Sequence, residues 1–457
     1  MRSYRCVSVG RALLVLGLFV MAMLPLPALS AEEKYTVDIV RKEAQKIVIA
    51  VVGFPPLKVG AKADDLGTQA GAILTDDLKS GGIFDVIDPS FLPVKATQVE
   101  FGQEKGLLPA LNSLKVQAVV VGKLSSRGSE LVLEGQLFEV TKGEMLSGKR
   151  YAGDPRTLRT MVHRLADEVV FRLTGEKGIA SSRIAYVSSV NGAKEIYVMD
   201  YDAYNPLLIT GNHSINLSPR WSPDGKKIAY TSYRDQNPDL FVIDLETGQR
   251  QKISSSPGLN VAPAWSPDGE RLAFSMSSGM GTSLFLVRPD GTDRRQLTQG
   301  PQIDISPSFA PNGRQIVFNS DRGGTPQVYL MDIEGTNVRR LTFGVGNYSV
   351  SPRWSPRGDK IAFVGRPSGN FDIFLINPDG TGLVQLTSNS RNNEEPSWSA
   401  DGRQILFTST RDFDGRRRFQ ILSIVEPLLP NSTSLQRDLS PLWSLWRSEK
   451  NPNTGAS

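Results

Sequence analysis

The hydrophobic and polar positions of residues 183–446 repeat with a fixed period. A phrase of the form Pro-x-Trp-Ser-Pro-Asp-Gly recurs, and the steps between its aromatic residues are 44, 44, 45, 44 and 45 positions. The aromatic residues are Trp221, Trp265, Phe309, Trp354, Trp398 and Trp443. A period of this length is typical of blades that pack against copies of themselves, so it predicts a repeat architecture.

Each repeat contains three further apolar segments. Triplets such as Ile228-Ala229-Tyr230 are followed by triplets such as Leu240-Phe241-Val242, and then by pairs such as Leu341-Thr342. With the Trp-Ser phrase they predict four strands per repeat, named A to D here, with the Trp-Ser phrase as A. Ser-Pro-Asp-Gly supplies a fixed proline φ and a glycine that tolerates positive φ, as a tight A–B turn requires. Four short strands per repeat predict a β-propeller.

The two ends of the repeat region differ from its middle. The first repeat begins at strand B with Ile184, and the last phrase, at residues 441–444, has no strand B after it. One missing A strand and one spare A strand make one whole blade. We therefore expect six blades over residues 183–446, closed by the C-terminal strand, which protects the sheet edges from aggregation.

Residues 31–175 have a different pattern, in which helical and strand periodicities alternate. A β-branched run at 47–54 predicts a buried central strand, and the apolar spacing over 66–79 predicts a helix. A last helix is capped by Asp154 and stopped by glycine. The remaining segments predict strands at 84–87, 118–121, 131–140 and 145–151, and a helix at 106–114. The mixture predicts a small α/β domain. We interpret His163, beside the last apolar face, as a surface or boundary histidine.

Residues 1–30 have the order of a secretory signal. Arginines come first, an apolar run from Leu13 to Leu24 follows, and small residues stand at Ala28 and Ser30. We expect cleavage after Ser30 and an exported protein; the apolar run is short for a membrane span. The single cysteine, Cys6, lies inside this segment, so the mature protein has no disulfide, thiol nucleophile or thiolate zinc site.

Charge and motifs argue against several function classes. Of 52 basic and 47 acidic residues, the mature chain keeps 49 and 47, which gives no argument for nucleic acid or a membrane surface. The short basic run at 416–418 is a solvated loop or part of a binding rim. His163 and His213 lie in different predicted domains, and the chain has neither a Gly-x-Ser-x-Gly elbow nor a phosphate loop. Paired carboxylates such as Glu394-Glu395 leave glycoside chemistry open.

The repeated aromatic residues and Asp-Gly turns predict packing and turn roles, because a binding site would occupy few blades and not all. The sequence thus favours a binding protein with no cofactor. The D–A loops are its best candidate surface, because they are longer than the A–B turns and leave the propeller on the same side as the B–C loops. The candidate residues are His213, Asn216, Leu259, Asn260, Ala262, Ile305, Ser306, Tyr348, Ser349, Glu394 and Glu395.

An exported chain with a small α/β domain, these four repeated phrases and a spare Trp-Ser at its end resembles the TolB family of the Tol-Pal system. The resemblance covers essentially the whole mature chain. It implies a periplasmic, monomeric, non-enzymatic protein that binds the peptidoglycan-associated lipoprotein Pal at the channel mouth, where the matching positions are Leu259, Ala262 and Ile305. Leu259 stands where the resemblance leads us to expect a polar residue.

The resemblance also implies that the mature N-terminus binds TolA. The matching residues are Tyr35, Thr36, Val37, Asp38, Ile39 and Val40. Such a system supports outer-membrane integrity and invagination during cell division, and imported toxins use the same surface in some bacteria. Two alternatives stay open: a secreted propeller enzyme acting on carbohydrate or peptide, and a scaffold with a different partner. Residues 447–457, rich in Asn, Ser and Gly, predict a disordered tail.

Overall fold

The structure is a computed structural model that describes residues 46–57, 65–92, 99, 101–190, 192–388, 391–410, 418–423 and 436–438. The chain divides into a unit of residues 1–43 and a unit of residues 44–457, and only the second contains described residues. The predicted signal, the predicted TolA-binding segment 35–40, the final Trp-Ser phrase and the predicted tail lie outside the described residues.

Five strands form the first sheet. They are β1 Ile47–Gly53, β2 Phe84–Val86, β3 Ala118–Arg127, β4 Glu130–Glu139 and β5 Glu144–Gly153, in the order β2-β1-β3-β4-β5. β1 pairs in parallel with β2 and β3, whereas β4 pairs antiparallel with β3 and β5. The strands predicted at 131–140 and 145–151 are confirmed, and they form a hairpin around residues 141–143. It is possible because Gly143 adopts a φ of 69° and donates its N–H to the Glu139 carbonyl at 2.9 Å.

Three helices cover the two faces of this sheet. They are α1 Leu66–Ser80, α2 Glu104–Ser113 and α3 Leu158–Thr174. α1 and α3 pack their apolar residues with one face of the sheet, and α2 packs Leu107, Leu108 and Leu111 with the other face. α1 begins where Asp65 accepts the N–H groups of Gly67 and Thr68. α3 ends at Gly175, whose φ of 75° suits glycine, and this agrees with the predicted helix.

The remaining strands form five four-stranded sheets and one three-stranded sheet. The three-stranded sheet contains β6 Arg183–Val190, β7 Ala193–Asp200 and β8 Leu207–Leu208. The others are β9 Asn216–Trp221, β10 Lys227–Ser232, β11 Asp239–Asp244 and β12 Arg250–Ser254; β13 Asn260–Trp265, β14 Leu272–Ser278, β15 Gly281–Val287 and β16 Arg295–Gln296; β17 Asp304–Phe309, β18 Gln315–Ser320, β19 Gln327–Asp332 and β20 Arg339–Arg340; β21 Ser349–Trp354, β22 Ile361–Gly365, β23 Asp372–Ile376 and β24 Val384–Gln385; β25 Asn393–Trp398, β26 Gln404–Ser409, β27 Arg418–Ser423 and β28 Gln436–Asp438.

The predicted architecture of an α/β domain followed by a β-propeller is confirmed. Five complete blades are present among the described residues, not six, and the sixth sheet, β6-β7-β8, has strands B to D but no strand A. The expected partner strand at 441–444 is not described, so closure of a sixth blade stays a prediction.

Each blade is held together by repeated contacts between its middle strands. Aromatic residues of strands B and C pair across the sheet, for example Phe318 with Tyr329 at 6.1 Å and Phe363 with Phe374 at 5.5 Å between ring centroids. These pairs lie inside the blade and are almost fully buried. The apolar triplets therefore correctly predicted strands B and C.

The prediction for strand D needs a correction. The Leu-Thr pairs lie just after the short D strands, because their threonine hydroxyls leave the sheet to bond the start of strand C. Thr342 Oγ1 accepts the backbone N–H of Val328 at 3.0 Å, and Thr387 Oγ1 accepts that of Ile373 at 2.9 Å. The sheet β9–β12 differs, because its equivalent Ile253-Ser254 pair lies within strand D itself, β12.

Neighbouring blades are joined by the repeated tryptophans. The indole N–H of Trp265 donates to the Arg220 carbonyl at 3.1 Å, and that of Trp398 donates to the Arg353 carbonyl at 2.9 Å. The predicted packing role of these residues is confirmed. In the A–B turns Asp224 Oδ1 accepts the Lys226 N–H at 3.0 Å, so the Asp-Gly phrase is a turn as predicted.

The α/β domain contacts the propeller at the end formed by the A–B and C–D turns. Glu176 forms ion pairs with Arg357 at 3.0 Å and Arg403 at 2.7 Å, both in A–B turns. Gln404 Nε2 donates to the Ser80 carbonyl at the end of α1 at 2.7 Å. These contacts leave the D–A and B–C loops at the opposite end. Among the described residues, no helix combines the length and apolar character of a membrane span.

Candidate functional site

The D–A and B–C loops meet at one end of the propeller, which we call the channel mouth. In three of the described A strands, those that begin at Asn260, Ser349 and Asn393, the first N–H bonds to the B–C loop of the preceding blade. Asn260 N donates to the Pro238 carbonyl at 3.0 Å, and Ser349 N donates to the Pro326 carbonyl at 2.9 Å. The loops predicted to carry the binding surface are therefore tied together on a rigid support.

The first residue of each A strand is buried. Asn216, Asn260, Asp304, Ser349 and Asn393 each have 0% exposure. Asn216 Oδ1 accepts from the Ser232 hydroxyl at 2.7 Å, while its amide donates to Glu195 at 2.9 Å. Asn260 Oδ1 accepts from the Ser254 hydroxyl at 2.6 Å. The candidate residues Asn216, Asn260 and Ser349 thus lie inside the protein and cannot touch a partner, and the side-chain hydrogen bonds of Asn216 and Asn260 support the mouth.

The third residue of each A strand has an unusual backbone conformation. Ser218, Ala262, Ser306, Ser351 and Glu395 have φ values of 52–59°, and each precedes a proline. A residue before proline prefers an extended conformation, so each such position costs on the order of 1–3 kcal/mol. At each of these five positions the pairing between strands A and B also shifts register. The candidates Ala262, Ser306 and Glu395 therefore belong to a ring of bulges at the mouth.

Apolar side chains stand immediately before the A strands. Ile215, Ile303 and Tyr348 are 41%, 48% and 37% exposed, and Leu259 is half-buried at the equivalent position. We call these four residues the apolar arc. Tyr348 also packs against Phe371 of the neighbouring B–C loop, with ring centroids 5.6 Å apart. Sequence reasoning selected Leu259 and Tyr348 but missed Ile215 and Ile303, although their constant position before strand A could have identified them.

The other candidates surround this arc. His213 is exposed with a φ of 55°, and its N–H donates to the buried Glu195 carboxylate at 2.7 Å. Ile305 is half-buried at the second position of its A strand. Glu394 is half-buried and Glu395 is exposed, so the arc is bordered by acidic residues on one side.

A separate polar cluster lies between the α/β domain and the first propeller sheet. His163 Nδ1 lies 2.7 Å from Asp77 Oδ2, and the Tyr201 hydroxyl donates to Asp77 Oδ1 at 2.7 Å. Arg159 forms an ion pair with Asp202, and His163 Nε2 lies 3.4 Å from the same carboxylate. His163 is only 2% exposed, so the interpretation as a surface or boundary histidine was wrong. The propeller covers it, which the sequence of the helix cannot indicate.

Burial and the contact between Asp77 and His163 shift the pKa values of both residues. Burial raises the pKa of Asp77 above its usual value, although hydrogen bonding to His163 opposes the shift. Burial alone would lower the pKa of His163, but the hydrogen bond and charge of Asp77 outweigh it, so the pKa of His163 is raised. In the described part of the chain, His163, Asp200 and Asp202 are the one group that could hold a metal ion. Because Arg159 already neutralises Asp202, we assign the cluster to the domain contact.

Two family models match the chain in the order of its parts. The TolB amino-terminal domain matches residues 35–146, and the TolB beta propeller domain matches residues 170–444. Protein TolB homolog of Chlorobium chlorochromatii is 38% identical over 205 residues, 45% of this chain and 46% of that protein. Tol-Pal system protein TolB of Desulfosudis oleivorans is 38% identical over 225 residues, 48% of this chain and 49% of that protein. The chain thus spans about half the length of the curated relatives it matches.

A solved structure extends the similarity to most of the fold. TolB from Acinetobacter baumannii superposes with a TM-score of 0.69 at 28% sequence identity, covering 84% of this chain and 92% of that chain. At this coverage the similarity extends beyond the propeller into the α/β domain.

Proposed function

Because the chain belongs to the TolB family, we propose that it is a periplasmic binding protein of the Tol-Pal system. In this proposal it binds the peptidoglycan-associated lipoprotein Pal at the channel mouth and TolA through residues 35–40, after cleavage following Ser30. It thereby supports outer-membrane integrity and invagination during cell division. The observation that carries the proposal is the match of both TolB family models, in chain order, to the two parts of one chain.

The TolB family consists of non-enzymatic propeller proteins of the Tol-Pal system, which agrees with the prediction of a binding protein. In this proposal the protein is a monomer with an α/β domain over residues 31–175 and a six-bladed propeller over residues 183–446. The last A strand, residues 441–444, completes the sheet β6-β7-β8. The missing innermost strand of that sheet supports this closure, because an open inner edge would expose unpaired backbone groups.

The geometry of the mouth supports docking of a protein partner. The apolar arc offers three exposed side chains on loops whose backbones are fixed by hydrogen bonds. Apolar and aromatic groups held rigidly in this way are typical of the residues that dominate binding energy. Of the positions implied by family resemblance, the half-buried Leu259 belongs to the arc. The bulge residue Ala262 and the half-buried Ile305 follow arc residues within three positions of the chain.

Affinity capture from an envelope extract tests the Pal contact. We expect the mature protein to retain an OmpA-like lipoprotein, and the double variant Ile303→Asp, Tyr348→Asp to retain at least about tenfold less, since two anchors become charged. The matched control is Leu383→Asp, because Leu383 is 42% exposed but lies between strands C and D at the opposite end. Equal retention by the double variant and the wild type would show that the partner binds elsewhere.

A second arm of the experiment tests the TolA contact. Deletion of residues 31–40 should abolish capture of TolA while the lipoprotein is still retained through the mouth. If the deletion leaves TolA capture unchanged, the N-terminal segment is not its binding site. If the intact protein retains no OmpA-like lipoprotein at all, the chain has a different partner.

A further inference from the structure

Residues from several A strands surround a cavity inside the propeller. In the described A strands, the residues that follow the proline of the repeated phrase are Arg220, Ala264, Ser308, Arg353 and Ser397. A cavity of about 210 Å³ is lined by four of them, Arg220, Ala264, Ser308 and Arg353. These four belong to four successive blades, and A strands of so many blades approach one another only around the axis. The cavity is therefore part of the channel, with its two arginines three blades apart.

The two arginines are held in the same way. Each guanidinium donates from Nη1 to the carbonyl of the proline before it, at 2.8 Å for both Arg220 and Arg353. The carbonyl of each arginine in turn accepts the indole N–H of a tryptophan in the following blade. Backbone and side chain are thus fixed before any ligand arrives, while the small side chains of Ala264 and Ser308 leave the space between them open.

Their positive charges have no direct counter-ion in the described part of the chain. No carboxylate lies within 4.0 Å of either guanidinium among these residues. Burial lowers the pKa of Arg220, and the negative charge of Glu395 opposes this shift without contacting it. The described hydrogen bonds use one of the five N–H donors that each guanidinium carries. In the sequence, the last copy of the phrase adds Leu442 at this position, not an acid.

We propose that the channel binds a small oxyanion between Arg220 and Arg353. Guanidinium groups match phosphate, sulfate and carboxylate with planar, paired donors, and such charge-assisted hydrogen bonds strengthen where water is partly excluded. The same two charges repel a divalent cation. This inference does not depend on which protein docks at the mouth, because the arginines belong to the channel wall and not to the loops.

Titration calorimetry with sodium sulfate, sodium phosphate and sodium acetate tests the proposal, with sodium chloride holding the ionic strength constant. We expect the mature protein to bind at least one of the three oxyanions. Arg353→Ala and Arg220→Ala should each weaken that binding by at least about tenfold, since each loses charge-assisted hydrogen bonds. The matched control is Arg127→Ala, an exposed arginine at the end of β3. A response to acetate alone would identify a carboxylate ligand, such as a partner's side chain, whereas sulfate or phosphate would identify a free inorganic anion.

A second variant keeps the test decisive if an arginine variant fails to fold. Ser308→Glu retains both arginines and places a carboxylate in the cavity, so it should abolish oxyanion binding while circular dichroism stays unchanged. Crystals soaked in sodium selenate should show anomalous scattering between the two guanidinium groups. The proposal is overturned if none of the three oxyanions binds, if the arginine variants bind as well as Arg127→Ala, or if calcium chloride binds in the channel instead.

Discussion

Tyr201→Phe removes one hydroxyl from the contact between the α/β domain and the propeller. That hydroxyl donates to Asp77 Oδ1 at 2.7 Å, and Asp77 is also bonded to His163. Asp77, His163 and Tyr201 are 7%, 2% and 5% exposed, so water cannot replace a lost partner. If this triad holds the two domains together, removing one member should weaken the contact far more than removing an exposed hydroxyl.

The expected magnitude follows from the hydrogen bonds. A hydrogen bond to a charged group contributes about 1.5–3 kcal/mol, so Tyr201→Phe should destabilise the domain contact by about that amount. Asp77→Ala leaves two buried donors, the His163 ring and the Tyr201 hydroxyl, without an acceptor, and each lost acceptor costs about 1–3 kcal/mol. A part of this loss is offset, because the variant no longer buries a carboxylate and so avoids its desolvation cost. We expect a net loss of about 2–4 kcal/mol for Asp77→Ala.

Hydrogen exchange of α3 measures this loss without assuming that both domains unfold together. In the double variant the two losses should overlap, with a coupling energy of about 1–2 kcal/mol, because both substitutions remove the same bond. Tyr204→Phe is the control, since Tyr204 lies in the same turn but is 44% exposed; it should change stability by less than about 0.5 kcal/mol. Additive losses, or equal effects of the two tyrosine substitutions, would refute the assignment of Asp77 as the acceptor at this contact.

Two further predictions concern pH and packing. Because the pKa of His163 is raised on folding, its stabilisation is complete below its unfolded pKa of about 6.5 and is lost as pH rises through the folded pKa. In urea unfolding between pH 6 and 9, the free energy of unfolding should therefore fall by at most about 1.4 kcal/mol per pH unit through loss of this proton. The free energy of unfolding of His163→Asn should depend less on pH over the same range. Gly122→Ala would place its Cβ 1.9 Å from the Phe54 ring, so thermal unfolding should show a loss of about 1–3 kcal/mol, whereas no change would mean that the ring moves freely.

Local patterns correctly predicted the parts of the fold that are decided by neighbours in sequence. Strands B and C contain the apolar triplets and bury aromatic residues such as Phe318. Helix α3 begins near Asp154 and ends at Gly175, as the cap residues indicated. The domain contact could not be predicted in this way, since Asp77 lies 86 positions from His163 and 124 from Tyr201. A histidine beside an apolar helix face has the same sequence signature whether water or a second domain covers it.

The channel mouth shows how a repeat can be interpreted more sharply. The repeated aromatic residues were assigned to packing because they recur from blade to blade. The same reasoning also assigns to packing the polar residue at the start of each A strand. Asn216 and Asn260 recur at that position and are fully buried, so they form the support and not the surface. Positions where the blades differ are free to bind, since blade packing does not dictate them. Arg220 and Arg353 interrupt a series of small channel residues, and for this reason the channel wall carries chemistry that the repeat itself does not require.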